Sequence, residues 1–326
     1  MNNCKRDDKI IIVLAKERQM GKLYDVVIIG AGPAGITASI YAKRAGLDAL
    51  LIEKAPMGGG QVLNTYEVDN YPGLQGINGF DLGMKFSEHA AKLGVETTEA
   101  DVKDIDVANT IKRIHTDTDI FEAKSIVLSG GAEHRKLKVP GEEELAGVGV
   151  SYCATCDGAF FKNKTVAVVG GGDVALEDAI FLARGCEKVY LIHRRDEFRA
   201  VKVLCDAVKE ISNIEVVWDS IVTAVEGTEQ VESLKIQNVY TGAESALDVN
   251  GVFIAVGNIP NTGYIKKIKK DVAGYLIAGE DCATDVAGVY AAGDIRTKKL
   301  RQIVTAVADG ANAITSIQDY LLHMEN

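Results

Sequence analysis

Cys153 and Cys156 are separated by two residues and followed directly by Asp157. Cysteines at this spacing either bind zinc or cycle between a dithiol and a disulfide. A structural zinc site usually takes its four ligands from two such pairs, and the chain's other cysteines form no second close pair. We therefore expect a redox-active pair and no metal site. Asp157 is the candidate proton donor for thiol exchange, the alternative being a capping acid on a short turn.

Two glycine-rich segments lie on either side of the cysteine pair. We call 30–35 the first glycine turn and 170–175 the second, and each lies between an apolar run and a helical pattern. The expected elements are strands over 26–29, 49–52, 166–169 and 189–192 and helices over 34–45 and 173–183. This context is typical of dinucleotide binding, whereas the alternative is a pair of structural turns.

The residues of the glycine turns have separate tasks in dinucleotide binding. The first glycine makes the tight turn, the second lets the backbone approach a pyrophosphate, and the third position lets helix and strand pack closely. The pyrophosphate then lies at the helix N-terminus. The candidate residues are Gly30, Gly32, Pro33, Ala34 and Gly35 in the first turn, and Gly170, Gly172, Asp173 and Ala175 in the second.

The residue after the second strand of each unit distinguishes the two ligands. Glu53 lies 23 residues after Gly30, where a carboxylate accepts a hydrogen bond from an adenosine ribose. The same offset from Gly170 leads to His193, followed by Arg194 and Arg195. Guanidinium groups there favour a 2′-phosphate, and the alternative is a solvated surface pair. We expect FAD at the first turn and NADPH at the second.

A third strand-to-turn segment follows the second glycine turn in the chain. Residues 286–292 read as a strand that ends at Gly293 and Asp294. If Asp294 contacts the flavin's ribitol, the FAD domain is discontinuous. The predicted fold is α/β, with two Rossmann-like dinucleotide-binding domains and the NADPH domain inserted into the FAD domain. We expect an N-terminal extension over 1–19, the FAD domain over 20–132 and 260–326, and the NADPH and redox-disulfide domain over 133–259.

The composition limits the class of protein. The chain has 326 residues, 47% of them hydrophobic, and a net charge of −10. That charge argues against nucleic acid as a main partner. The apolar run over 10–15 is shorter than the roughly 20 residues of a membrane span. One close cysteine pair among six cysteines is unlike a secreted disulfide scaffold, so we expect a cytoplasmic protein without a membrane partner.

With these motifs, the chain resembles the low-molecular-weight thioredoxin reductases of bacteria over residues 22–322. The matching segments are 30–35, Gly-Gly-Gln at 59–61, Cys-Ala-Thr-Cys-Asp-Gly at 153–158, His-Arg-Arg-Asp-Glu-Phe-Arg at 193–199, Ala-Ala-Gly-Asp at 291–294, and Arg-Gln at 301–302. The resemblance implies FAD, NADPH, a homodimer, and thioredoxin as the electron acceptor.

Residue roles follow from the resemblance by position. Cys156 would face the flavin, Cys153 would attack the thioredoxin disulfide, and Asp157 would exchange protons. The flavin would be held by Gly60, Gln61, Asn70, Gly293, Asp294, Arg301 and Gln302. The 2′-phosphate would be bound by Arg194, Arg195 and Arg199. Because the cysteine pair and the NADPH site share one domain, we infer that this domain rotates between two states.

Two positions depart from the family pattern. Val174 stands where a hydroxyl usually meets the NADPH phosphate, and Ser129 begins a Ser-Gly-Gly segment in place of Ala-Thr-Gly. Val174 keeps one alternative open, a flavin thioredoxin reductase fed by ferredoxin. A second alternative, from another class, is a flavin-binding redox sensor without turnover.

Overall fold

A computed structural model describes residues 21–65, 68 and 70–324. The predicted extension over 1–19, with Cys4, lies outside this range. The chain forms two compact units. The first unit holds the residues up to Thr65, Ile77–Glu133 and the residues from Ile259 onwards; the second holds His134–Asn258 and the short segment that ends at Gly76.

The strands are β1 (Leu23–Ile29), β2 (Ala49–Glu53), β3 (Glu96–Glu99), β4 (Val102–Asp106), β5 (Lys112–Thr116), β6 (Ile120–Leu128), β7 (Ala132–His134), β8 (Val150–Ser151), β9 (Thr165–Val169), β10 (Lys188–Ile192), β11 (Ile214–Val217), β12 (Ser220–Glu226), β13 (Ser233–Asn238), β14 (Glu244–Asp248), β15 (Gly251–Ile254), β16 (Asn258–Pro260) and β17 (Val289–Ala291). The helices are α1 (Pro33–Arg44), α2 (Gly79–Lys92), α3 (Ala154–Asp157), α4 (Asp173–Ala183), α5 (Lys202–Glu210) and α6 (Ile303–Met324).

The first unit is built on a seven-stranded sheet in the order β3-β2-β1-β6-β5-β4, with β17 also paired to β6. β1 runs parallel to β2 and β6, and β17 runs parallel to the end of β6. From Tyr24 onwards the apolar residues of β1 are buried on both faces of the sheet, one face packing in each of two core clusters, whereas Leu23 is exposed. Strands β1, β6 and β17 therefore end at one edge of the sheet, and the turns that follow them lie there together.

The second unit repeats this plan with a smaller sheet. Its five strands are parallel in the order β11-β10-β9-β15-β8, and β12, β13 and β14 form a separate antiparallel sheet. β7 and β16 pair where the chain passes between the units. The predicted α/β class with Rossmann-like parallel sheets is confirmed.

One predicted strand is shorter than expected. The segment over 286–292 is a strand only at Val289–Ala291, because Val286 to Gly288 form a turn in which Val289 N–H donates to the Val286 carbonyl at 3.0 Å. Gly288 has φ +76°, a conformation that a strand residue cannot adopt. The remaining strand still leads into the expected turn, which is a single 3₁₀ turn over Gly293–Ile295.

Candidate functional site

The cysteine pair begins the shortest helix of the second unit. Cys153 is the N-cap residue of α3, and its carbonyl accepts hydrogen bonds from the N–H groups of Cys156 (3.2 Å) and Asp157 (3.1 Å). This turn places the two Cα atoms 5.3 Å apart, within the range of disulfide-bonded residues, and the sulfurs are bonded. Both cysteines are half-buried. The structure therefore shows the pair in its oxidised form.

Asp157 lies beside the disulfide and is held by Ser151, the last residue of β8. The Ser151 hydroxyl donates to Asp157 Oδ2 at 2.6 Å and accepts a hydrogen bond from Cys153 N–H at 3.1 Å. Burial raises the pKa of the Asp157 carboxyl, and the Ser151 hydrogen bond acts in the opposite direction. A carboxyl in this setting can hold a proton to higher pH than a solvated aspartate. The sequence reasoning missed Ser151, whose signal was a small polar residue just before the pair.

The first glycine turn joins β1 to α1 closely. A Cβ atom at Gly35 would lie 1.8 Å from the Gly30 carbonyl oxygen, so no side chain fits at this position. At Gly32, in contrast, a Cβ atom would meet nothing within 4 Å, and this residue is the N-cap of α1. The free amides of the helix N-terminus therefore border open space, as a pyrophosphate requires.

Two further predicted segments lie against this turn. Glu53 Oε2, at the end of β2, accepts a hydrogen bond from Ala31 N–H at 2.5 Å. Gly59 N–H donates to the Ala31 carbonyl at 2.7 Å, and a Cβ atom at Gly60 would lie 3.2 Å from Gly32 Cα. Gln61 follows and donates through Nε2 to the Ala132 carbonyl. The structure thus brings Glu53, Gly60 and Gln61 together around the first turn, whereas Asn70 is grouped with the second unit.

The segment that runs from the turn after β17 to α6 carries buried polar atoms without a partner in the described part of the chain. Among the residues described by the structure, Asp294 Oδ1 and Arg301 Nε are buried without a hydrogen-bond partner. Burial raises the pKa of Asp294, while the charges of Lys298 and Arg301 act to lower it. The Arg301 guanidinium lies 4.0 Å from the centre of the Tyr275 ring. Gln302 follows, directly before α6. An acceptor and a donor buried without partners fit the hydroxyls and polar ring edge of FAD.

The second glycine turn is covered by the loop that follows β10. Arg199 N–H donates to the Gly171 carbonyl at 2.8 Å, and a Cβ atom at Gly171 would lie 2.2 Å from the His193 ring. The side chains of Arg194, Arg195 and Arg199 are exposed on this loop. The predicted cationic residues are therefore assembled beside the turn and are free to bind an anion.

Two predicted residues of this site also have internal contacts. His193 is buried, and its Nε2 is hydrogen-bonded to the Glu197 carbonyl oxygen at 3.1 Å. Burial lowers the pKa of the His193 imidazole. Asp173 Oδ1 accepts a hydrogen bond from Val201 N–H at 2.8 Å, just before α5. Both side chains thus hold the loop that carries the arginines. Val174 is 61% exposed next to them, so it offers an apolar surface at a position where the family pattern has a hydroxyl.

Asp178, on α4, is a half-buried carboxyl that was not predicted from the sequence. Its signal was the pair of adjacent acids, Glu177 and Asp178, in a mostly apolar helix. Burial, together with the charge of Glu177, raises the pKa of Asp178 to about 7. An aspartate of unfolded chain titrates near 4, so the folded state retains a proton that the unfolded state loses between about pH 4 and 7. Asp178 therefore lowers stability as the pH rises through this window.

We expect Asp178→Asn to stabilise the protein at pH 8 by up to about 4 kcal/mol, the equivalent of about three pKa units, and to change little at pH 4. Urea unfolding at both pH values measures the difference. Glu177→Gln, which changes the exposed neighbour, should give a smaller gain. An equal gain from Asp178→Asn at both pH values would show that its charge is not the cause.

Among residues 21–324, apart from 66, 67 and 69, no group of three or more His, Cys, Asp and Glu side chains is arranged to hold a metal ion. No helix within the described range is long and apolar enough to cross a membrane.

Comparisons with known proteins identify the family of the chain. The family model described as pyridine nucleotide-disulphide oxidoreductase matches residues 24–310. A thioredoxin reductase from Listeria innocua is 45% identical over 302 residues, covering 92% of this chain and 94% of that protein. One from Bacillus subtilis is 42% identical and covers 93% of this chain and 96% of that protein. A thioredoxin reductase crystal structure from Streptococcus pyogenes has a TM-score of 0.88 at 42% identity, covering 92% of this chain and 99% of that one. The chain therefore belongs to the pyridine nucleotide-disulphide oxidoreductase family, and the three similar proteins named above are thioredoxin reductases.

Proposed function

We propose that this protein is an NADPH- and FAD-dependent thioredoxin reductase. The observation that carries the proposal is the Cys153–Cys156 disulfide with the Asp157 carboxyl beside it, on the unit that also holds the second glycine turn. Relatives named thioredoxin reductase, more than 40% identical over most of the chain, support the same activity.

The first unit would bind FAD. The pyrophosphate would lie on the amides at the N-terminus of α1, and Glu53 would accept a hydrogen bond from the adenosine ribose. The unpaired atoms of Asp294 and Arg301 support contacts to the rest of the molecule. The remaining proposed FAD residues are Gly30, Gly32, Pro33, Ala34, Gly35, Gly60, Gln61, Asn70, Gly293 and Gln302. Bound FAD would supply the two-electron step between NADPH and the disulfide.

The second unit would bind NADPH. The proposed residues are Gly170, Gly172, Asp173, Ala175, His193, Arg194, Arg195 and Arg199. The exposed arginines beside the turn support recognition of a 2′-phosphate, because a guanidinium makes charge-assisted bonds to phosphate oxygens. His193 and Asp173 would act by holding the loop in place.

The reduced cysteine pair would transfer two electrons to the substrate. The Cys153 thiolate would attack one sulfur of the thioredoxin disulfide, forming a mixed disulfide and releasing a thiolate on thioredoxin. Asp157 would give a proton to the released thiolate. Cys156, as a thiolate, would then attack Cys153 Sγ, which restores the Cys153–Cys156 disulfide and releases the second thioredoxin thiolate. Two electrons move to thioredoxin, and two protons complete its dithiol.

The proposal includes a domain motion, a dimeric state, a cellular location and a type of partner. The inserted domain over 133–259 would rotate so that the cysteine pair and the NADPH site serve the same FAD in turn, a motion that their presence on one unit supports. The protein would act as a homodimer in the cytoplasm, where thiols are kept reduced. The net charge of −10 supports a protein partner without nucleic acid.

An anaerobic titration of the FAD-loaded protein with NADPH tests the proposal directly. We expect stoichiometric loss of flavin absorbance with NADPH, a much weaker response to NADH, and electron transfer to added thioredoxin. Flavin that is bleached by reduced ferredoxin and not by NADPH would favour the ferredoxin-dependent alternative. Bleaching without turnover on any thioredoxin would favour the redox sensor.

Replacing one arginine of the loop should weaken NADPH more than NADH. A lost charge-assisted hydrogen bond of about 1.5–3 kcal/mol corresponds to a roughly 10- to 100-fold fall in kcat/KM for NADPH with Arg194→Ala. The value for NADH, which lacks the phosphate, should stay within about 2-fold. Steady-state kinetics with both nucleotides measure the ratio, and Arg184→Ala, at the far end of α4, is the control. Parallel losses for both nucleotides would contradict recognition of the 2′-phosphate.

A further inference from the structure

Tyr264 has a buried hydroxyl that the described part of the protein does not satisfy. Its oxygen is withdrawn from solvent without a hydrogen-bond partner, while its ring packs against a core cluster of the first unit. The segment is anchored, because Asn261 N–H donates to the Gly131 carbonyl at 3.0 Å and Asn261 Nδ2 donates to the Gly130 carbonyl at 2.9 Å. A buried hydroxyl without a partner is costly, so a partner from outside the chain is the expected explanation.

The Tyr264 hydroxyl lies close to Gly130, at the end of β6. A Cβ atom at Gly130, just after β6, would lie 3.7 Å from Tyr264 Oη and 3.7 Å from Ile295 Cδ1. A Cβ atom at Gly30 would lie 3.0 Å from Gly130 Cα. The hydroxyl is therefore at the edge where β1, β6 and β17 end, between the first glycine turn and the turn after β17. Ligands of open α/β sheets bind at this edge.

Two other polar atoms without a partner belong to the same segment of the first unit as the Tyr264 hydroxyl. Of the four buried side-chain polar atoms without a partner in the described residues, three belong to the last segment of the first unit: Tyr264 Oη, Asp294 Oδ1 and Arg301 Nε. The fourth, Asp219 Oδ1, lies in the second unit. Ile295, which lies near the same point above Gly130 as the Tyr264 hydroxyl, directly follows Asp294. Three unsatisfied groups in one segment of the fold are best explained by one ligand that pairs with all of them.

The geometry points to Tyr264 as a further FAD-binding residue, whose phenolic hydroxyl donates a hydrogen bond to the bound cofactor. This inference rests on the proposed function for the identity of the ligand. Burial also raises the pKa of the Tyr264 phenol, so the group stays protonated and remains a donor across the working pH range.

Tyr264→Phe removes the hydroxyl and keeps the ring, and the apoprotein and the FAD-loaded protein should respond differently. We expect the FAD dissociation constant to rise about 3- to 10-fold, because one hydrogen bond to the cofactor is lost. The melting temperature of the FAD-free protein should stay the same or rise by about 1–3 °C, because an unsatisfied hydroxyl is gone. FAD titration of the full-length apoprotein and thermal unfolding of both forms measure these changes.

Tyr24→Phe is the matched control, because the Tyr24 hydroxyl is paired within the protein, donating to Glu96 Oε1 at 2.8 Å. It should lower the melting temperature of the apoprotein and leave FAD affinity unchanged. Unchanged FAD affinity in Tyr264→Phe, with a wild type that binds FAD, would overturn this inference and leave the proposed function intact. So would destabilisation of the Tyr264→Phe apoprotein, which would show that water already satisfies the hydroxyl. A wild type that does not bind FAD would overturn both.

Discussion

Cys153→Ser and Cys156→Ser are each expected to reduce thioredoxin turnover to below about a thousandth of the wild-type rate, while NADPH still bleaches the bound flavin. A serine hydroxyl neither forms a disulfide nor ionises near neutral pH, so no electron pair can leave through it. The step between NADPH and FAD does not pass through the sulfurs. Steady-state thioredoxin assays and anaerobic rapid-mixing measurements of flavin absorbance separate the two steps.

The two variants should also differ from each other. In Cys156→Ser the proposed attacking thiol remains without its resolving partner. The probe is a thioredoxin variant with a single cysteine, which carries an aromatic thiol in disulfide linkage. Cys153 should displace the aromatic thiol and form a stable mixed disulfide with the thioredoxin cysteine. Cys153→Ser should form little of this product. The reverse pattern, detected by intact mass under non-reducing conditions, would exchange the roles of the two cysteines. Cys205→Ser, which changes a free cysteine of the same unit, should keep full turnover.

Asp157→Asn is expected to lower thioredoxin turnover about 100- to 1000-fold, within the range of a lost general acid. An amide keeps the shape of the carboxyl and can still pair with the Ser151 hydroxyl, but it cannot deliver a proton. Burial raises the pKa of Asp157, so turnover in the wild type should fall as the pH rises through that raised pKa. This limb should be absent from the pH profile of Asp157→Asn. Rapid-mixing measurements should find flavin reduction by NADPH unchanged.

Ser151→Ala provides a second test of the same carboxyl. The Ser151 hydroxyl donates to Asp157 and favours its charged form, so its removal should raise the Asp157 pKa further and move the alkaline limb to higher pH. Ser220→Ala is a suitable control, because this buried serine of the same unit donates to a backbone carbonyl. A limb that persists in Asp157→Asn, or that stays in place in Ser151→Ala, would assign the proton to another group.

Local patterns were sufficient for the parts of the site that follow from chain geometry. The strand, glycine turn and helix of each unit were expected over 26–45 and 166–183, and α1 and α4 begin within one residue of their predicted starts. The reason is that parallel strands covered on both faces are continuously apolar, and that a glycine turn ends them. The predicted cysteine pair is likewise joined within one helical turn. The domain boundaries and the binding roles of the site residues remain predictions.

The sequence by itself determined the fold class, the two dinucleotide-type turns and the redox pair, because each depends on residues close together in the chain. Tertiary structure decided which distant groups serve them. Tyr264, for example, reaches the edge of the first sheet although it lies 134 residues beyond Gly130 in the chain. Burial, which sets the pKa values of Asp157 and Asp178 and leaves the Tyr264 hydroxyl unpaired, is the sum of contacts from many segments. A local sequence pattern does not give this burial, so the properties of these groups can be recognised only in the folded chain.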